Sequence, residues 1–140
     1  MPHLLDTNIV SELHKTRPDP RVAAWYATVP DDSLYLSVLV VGEIRQGIER
    51  LRRRDDDHAR ALDDWLSELT STYAERIIPV TIEVAEEWGR LSVPDPLPGV
   101  DGLMAATARI HGWILATRNT KHIERTGVRL VNPFEFSGDS

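Results

Sequence analysis

The feature that most restricts the fold is an alternation along the chain, in which short apolar runs are separated by longer stretches with helical periodicity. Residues 3–5, 34–37, 77–80, 113–117 and 128–131 read as short buried strands. Between them, Val41, Ile44, Ile48 and Leu51 recur at helical spacing and predict a helix over 38–53. Ala59, Leu62, Leu66 and Leu69 predict another over 56–71. Shorter helices are expected over 7–13, 20–28, 82–91, 101–110 and 120–125. Pro20 suits a first-turn position, and Gly112 ends the helix before it. Strands joined through helices imply right-handed crossovers and a parallel sheet covered on both faces. Runs this short and this apolar fit strands with double cover. The expectation is a three-layer α/β/α fold with a short central parallel sheet, residues 1–140 forming one domain. Residues 92–100 hold three of the nine prolines and read as an ordered loop, since apolar segments flank them on both sides.

In sheets of this kind ligands bind at the carboxyl ends of the strands. Asp6 ends the first strand and starts the following helix. Aspartate is also a favoured N-cap, and the two roles are compatible, because a capping carboxylate keeps a second oxygen for a metal. Asp101 begins the run Asp101-Gly102-Leu103-Met104-Ala105-Ala106-Thr107-Ala108, where capping is again an alternative. The alanines let this helix lie close to the sheet and carry Asp101 towards the strand ends. Glu43 stands beside the apolar stripe of its helix, where a glutamate is ordinarily solvated. Its neighbour Gly42, a helix-weakening residue, would admit another backbone closely.

Three hard oxygen ligands suit Mg²⁺ or Mn²⁺. The chain has no cysteine, which excludes thiolate metal sites and cysteine nucleophiles. The five histidines show no metal-ligand spacing, so zinc is not expected. A divalent ion among carboxylates suits phosphodiester hydrolysis, though the spacing supports a metal site more directly than it supports a nuclease.

Several segments together resemble the PIN-domain ribonucleases, and within them the VapC toxins of bacterial toxin–antitoxin pairs, in the FitB-like branch. They are Leu4-Leu5-Asp6-Thr7-Asn8, Ser37-Val38-Leu39-Val40-Val41-Gly42-Glu43-Ile44, Leu97 to Ala108, and Ala116-Thr117-Arg118-Asn119-Thr120-Lys121-His122, with Gly127-Val128 and Asn132-Pro133-Phe134 after them. The resemblance implies a PIN fold and Mg²⁺- or Mn²⁺-dependent endoribonuclease activity. It also implies inhibition by a VapB-type antitoxin, and a homodimer or higher toxin–antitoxin assembly. Carried over, Asp6 and Asp101 match the principal metal-binding aspartates and Glu43 the third acidic position. Thr7, Asn8 and Thr117 match the small polar residues around them. FitB-like relatives usually carry a fourth acid where this chain has His122, which is given no catalytic role, and Asn119 stands where other branches have an aspartate. That departure keeps open an alternative, a catalytically weakened PIN domain acting as an RNA- or protein-binding module. A phosphatase or receiver-like domain would share the architecture, but no lysine stands at the end of a late strand.

The net charge of −6 argues against a protein that coats nucleic acid, while leaving RNA open as a substrate. Arg45, Arg50, Arg52, Arg53, Arg54 and Arg60 cluster on two helices, where Asp55, Asp56 and Asp57 cancel much of their field. Arg118 and Lys121, beside the expected site, are better candidates for RNA phosphates. The four tryptophans suit core packing or a protein interface better than base stacking. No signal peptide or run of roughly 20 apolar residues appears, so a cytoplasmic protein without a membrane partner is expected.

Overall fold

Leu4 and Leu5 are consecutive and both essentially unexposed, at 0% and 1%. Consecutive strand residues point to opposite faces, so a sheet carrying this pair is covered on both. The computed structural model, which describes residues 1–138, shows that sheet. Its strands are β1 (His3–Leu5), β2 (Leu34–Ser37), β3 (Ile77–Ile78), β4 (Ile114–Ala116) and β5 (Leu130–Val131). They lie in the order β3-β2-β1-β4-β5 and every pairing is parallel. Leu5 faces Leu36 on one side and Ala116 on the other, so β1 is central. The chain builds outward from β1 through β2 and β3, then returns to add β4 and β5 on its other edge. Such a reversal opens a crevice at the strand ends, and Asp6 follows directly after β1. Residues 139–140 of the expected domain lie outside the described residues.

The helices are α1 (Thr7–His14), α2 (Pro20–Thr28), α3 (Val38–Arg52), α4 (Asp56–Thr72), α5 (Ile82–Leu91) and α6 (Gly99–His111). Most begin at a side chain that accepts a first-turn N–H: Asp6, Asp19, Ser37, Asp55 and Thr81. Pro20 occupies the first turn of α2. Gly112, at φ 71°, closes α6 in the left-handed conformation that a side chain would resist. A buried carboxylate ties α1 to α2: Glu12 accepts from the Lys15 ammonium and the Asp19 N–H, each at 2.8 Å.

Five expectations about elements need correction. The third strand stops at Ile78 rather than residue 80, because Pro79 has no N–H to pair. The fourth and fifth are also shorter, at Ile114–Ala116 and Leu130–Val131. Residues 120–125 form turns that end in a 3-10 segment, Glu124–Thr126, and Gly127 at φ 75° halts it. The helix expected to open at Asp101 begins two residues earlier, at Gly99. Among the described residues no helix is long and apolar enough to cross a membrane.

Candidate metal centre

Asp6 is buried, with 5% exposure, and every donor around it comes from the crevice. Oδ1 accepts the Thr7 N–H at 2.7 Å, which is the cap of α1. Oδ2 accepts the Thr117 hydroxyl at 2.6 Å and the Asn8 amide at 3.3 Å. Capping and site-building therefore coexist, as the sequence allowed. The segment after β4 is drawn into the same net. Asn119 N–H donates to the Thr117 hydroxyl at 3.1 Å, and Arg118 N–H to Asn8 Oδ1 at 3.3 Å.

Ser37 ends β2 and caps α3, which carries Glu43 in its second turn. The Thr7 hydroxyl donates to Glu43 Oε1 at 2.5 Å. One threonine thus holds two acids, Asp6 through its N–H and Glu43 through its hydroxyl. The role expected of Gly42 is not realised. No atom outside its own helix lies within 4 Å of where its Cβ would stand, so no backbone approaches it. It borders a shallow recess of about 380 Å³ between α3 and α6, with Val38, Glu43 and Val100.

Asp101 differs from the other two. It is the third residue of α6, whose N-cap is Pro98, so the capping alternative is removed. Its carboxylate is half-buried and accepts no hydrogen bond among the described residues. Burial pushes its pKa up from the ordinary carboxylate value, the negative charges of Asp6 and Glu43 push it further, and His122 opposes them. The close approach anticipated for this helix is present: Ala105, Ala106 and Ala108 are fully buried. A residue that the sequence did not flag, Gly102, matters as much. A Cβ there would stand 2.7 Å from Leu97 Cβ and 2.9 Å from Trp88 Nε1. The available signal was a glycine inside a helix, next to the aspartate that the helix has to place.

Asp6, Thr7, Asn8, Glu43 and Thr117 are thus joined by hydrogen bonds, and Asp101 is coupled to two of them by charge. Asn119 takes part only through its backbone, its side chain being exposed. Arg118 is exposed and rests its guanidinium 4.3 Å from the Phe134 ring centre. Lys121 and His122 are exposed on the turn beyond. His122, set aside in the sequence, lies within electrostatic reach of Asp101.

A half-buried carboxylate with no donor, beside two further acids, is a place that a cation would satisfy. The donors are hard oxygens and fit Mg²⁺ or Mn²⁺. Among the described residues, no three His, Asp or Glu side chains form a finished ligand cage. Mg²⁺ keeps several of its waters and needs only one or two carboxylates, so the residues present suit it.

A family model described as the PIN domain matches residues 3–128. A VapC ribonuclease from Sinorhizobium fredii, Y4jK, is 34% identical over 140 aligned residues, covering 94% of this chain and 97% of that protein. The crystal structure of FitAcB from Neisseria gonorrhoeae contains a chain of the same fold, with a TM-score of 0.86 and 30% identity. That match covers 96% of this chain and 99% of the other. A chain in a toxin–antitoxin complex from Klebsiella pneumoniae matches with a TM-score of 0.66 and 27% identity, over 96% and 99% of the two chains.

Proposed function

The chain belongs to the PIN-domain family, and on that premise we propose that it is a divalent-metal-dependent endoribonuclease, the toxin of a VapBC-type pair. The observation that carries this reading is the Asp101 carboxylate, half-buried without a donor and raised in pKa by burial and by Asp6 and Glu43. Asp6 and Asp101 would hold Mg²⁺ or Mn²⁺, and Glu43 would complete the shell or position the attacking water. When bound, the ion supplies Lewis-acid polarisation of the phosphoryl oxygens in an in-line displacement. Thr7, Asn8 and Thr117 keep the Asp6 carboxylate in one orientation before substrate arrives, which removes a reorganisation cost from the reaction. Thr7 fixes Glu43 by the same means. Asn119 supports the site through the N–H that it gives to Thr117. Arg118 and Lys121, exposed on the segment after β4, would meet RNA phosphates.

The Klebsiella complex and the VapC relative support a cognate VapB-type antitoxin as partner, in a homodimeric or higher toxin–antitoxin assembly acting in the cytoplasm. A second reading, a weakened domain that binds RNA or protein without cutting, is favoured by one observation. The segment after β4 offers the exposed Asn119 and His122 where relatives usually supply an acid. One experiment separates the two: purified protein is incubated with single-stranded RNA while Mg²⁺ and Mn²⁺ are titrated. Cleavage that stops in excess chelator is the expected result. Undiminished cleavage in chelator would sink the metal mechanism. Binding without cleavage at every metal concentration selects the second reading, and cleavage gained by His122→Asp would tie the weakness to that position.

A further inference from the structure

A groove of about 410 Å³ leaves the acidic site along the contact of α1, α3 and α4. Thr7 and Glu43 line it at the site, and Arg54 and His58 line it at the far end. It follows α3 to its end, a rise of roughly 14 Å from Glu43 to Arg52, and reaches Arg54 just beyond. Trp65 lines the wall between, stacked on His14 with ring centres 4.0 Å apart and planes 18° from parallel.

The charges around the groove are distributed unevenly. Arg45 and Arg52 pair with Glu49 and Asp63, and Arg60 pairs with Asp56. Of the aspartates expected to cancel this charge, Asp56 does so for Arg52 and Arg60, whereas Arg45 is met by Glu49 and Asp63 instead. Arg54 has no ion pair or side-chain hydrogen bond among the described residues. Its neighbour Asp55 is engaged as the cap of α4, accepting the His58 N–H at 3.1 Å. The groove thus has Glu43 at one end, an unpaired guanidinium at the other, and between them the aromatic pair beside Ile44, Ile48, Leu51 and Leu62.

We infer that this groove is a subsite for the RNA strand leaving the acidic site, with Arg54 taking a backbone phosphate and the His14–Trp65 pair taking a base by stacking. The inference rests on the ribonuclease reading. A polyanion is the occupant that suits both ends: its phosphates pair with Arg54 directly and with the acids through a divalent cation. Unpaired bases stack on aromatic side chains without sequence preference, and arginine adds to that contact. His14–Trp65 thus gains a role beyond the packing expected of the tryptophans.

The test measures KM and kcat for cleavage of a short single-stranded RNA of mixed sequence in Mg²⁺, across a salt series. Arg54→Gln is expected to raise KM with kcat unchanged, and to flatten the slope of log KM against log salt by about 0.7. Trp65→Leu is expected to raise KM about tenfold, and Trp65→Phe to restore most of the loss. Thermal unfolding checks that each variant is folded. Should Trp65→Leu fail to fold, Arg54→Gln, at an exposed position, decides alone. Unchanged KM and salt slope in Arg54→Gln would overturn the subsite and leave the ribonuclease reading standing. A wild type that cuts no RNA at any metal concentration overturns both.

Discussion

The two aspartates of the site sit in contrasting corners. Where β1 meets α1, Asp6 is surrounded by donors: a backbone N–H, a hydroxyl and an amide satisfy its oxygens. Where the proline loop meets α6, Asp101 stands beside Gly102, against which Leu97 and Trp88 pack, and receives no donor among the described residues. Both corners place an acid at the same crevice. The first does so at little electrostatic cost, while the second stores repulsion that only a cation or a proton relieves. One corner organises the site, and the other leaves a charge that a cation would meet.

The sharpest way to break this contrast is to neutralise each acid in turn. Asp6→Asn and Asp101→Asn should both lower RNA cleavage by more than about a hundredfold, since even outer-shell partners of a metal are worth 10–100-fold. Their stabilities should diverge when thermal unfolding is followed in chelator at neutral pH. Asp6→Asn should cost about 1–3 kcal/mol by mispairing a buried acceptor. Asp101→Asn should be neutral or stabilising, because it removes a charge that burial and two neighbours oppose. Equal destabilisation of the two would erase the distinction.

Next in size is Thr117→Val, which keeps the shape and deletes the donor to Asp6 Oδ2. Metal affinity, followed by Mn²⁺ titration, should fall about 10–100-fold. An unchanged affinity would mean that Asp6 does not need its donors.

Gly102→Ala addresses the other corner. The added methyl meets Leu97 and Trp88 inside contact distance and should cost about 1–3 kcal/mol in chemical denaturation. Because α6 must shift to admit it, Mn²⁺ affinity should fall as well. A variant of wild-type stability would show that the packing behind Asp101 is looser than the geometry implies.

The smallest effect concerns Glu12, a carboxylate satisfied like Asp6 but remote from the acids. Lys15 and then the Asp19 N–H hold its pKa below the ordinary value. The stability this adds is whole above the ordinary carboxylate pKa and is lost as pH falls towards the lowered one. The gap between wild type and Glu12→Gln in unfolding experiments should therefore close on acidification, with cleavage at neutral pH unaffected.

The contrast also marks how far the sequence could be read. Asp6 was legible because a strand end, a cap and a short polar cluster coincide within five residues. The sheet was legible because Leu4, Leu5, Leu34, Leu36 and Leu115 make those runs short and apolar. Asp101 was visible as an acid at a helix start. Its isolation was not, because the want of a donor depends on what the fold brings near. Gly42 misled for a related reason: a glycine in a helix signals close approach only when something lies opposite. At Gly102, Leu97 and Trp88 do. The double service of Thr7 joins residues 36 positions apart and has no local signature.

β1 pairs with β2 on one side and with β4 on the other, and the Thr117 hydroxyl reaches Asp6 across 111 residues of chain. During synthesis, therefore, Asp6 emerges 111 residues ahead of the hydroxyl that orients it. An unfinished chain carries Asp6 and Glu43 but has neither Asp101 nor the hydroxyl that sets Asp6. The cluster of acids and donors comes into being only once β4 has joined the sheet.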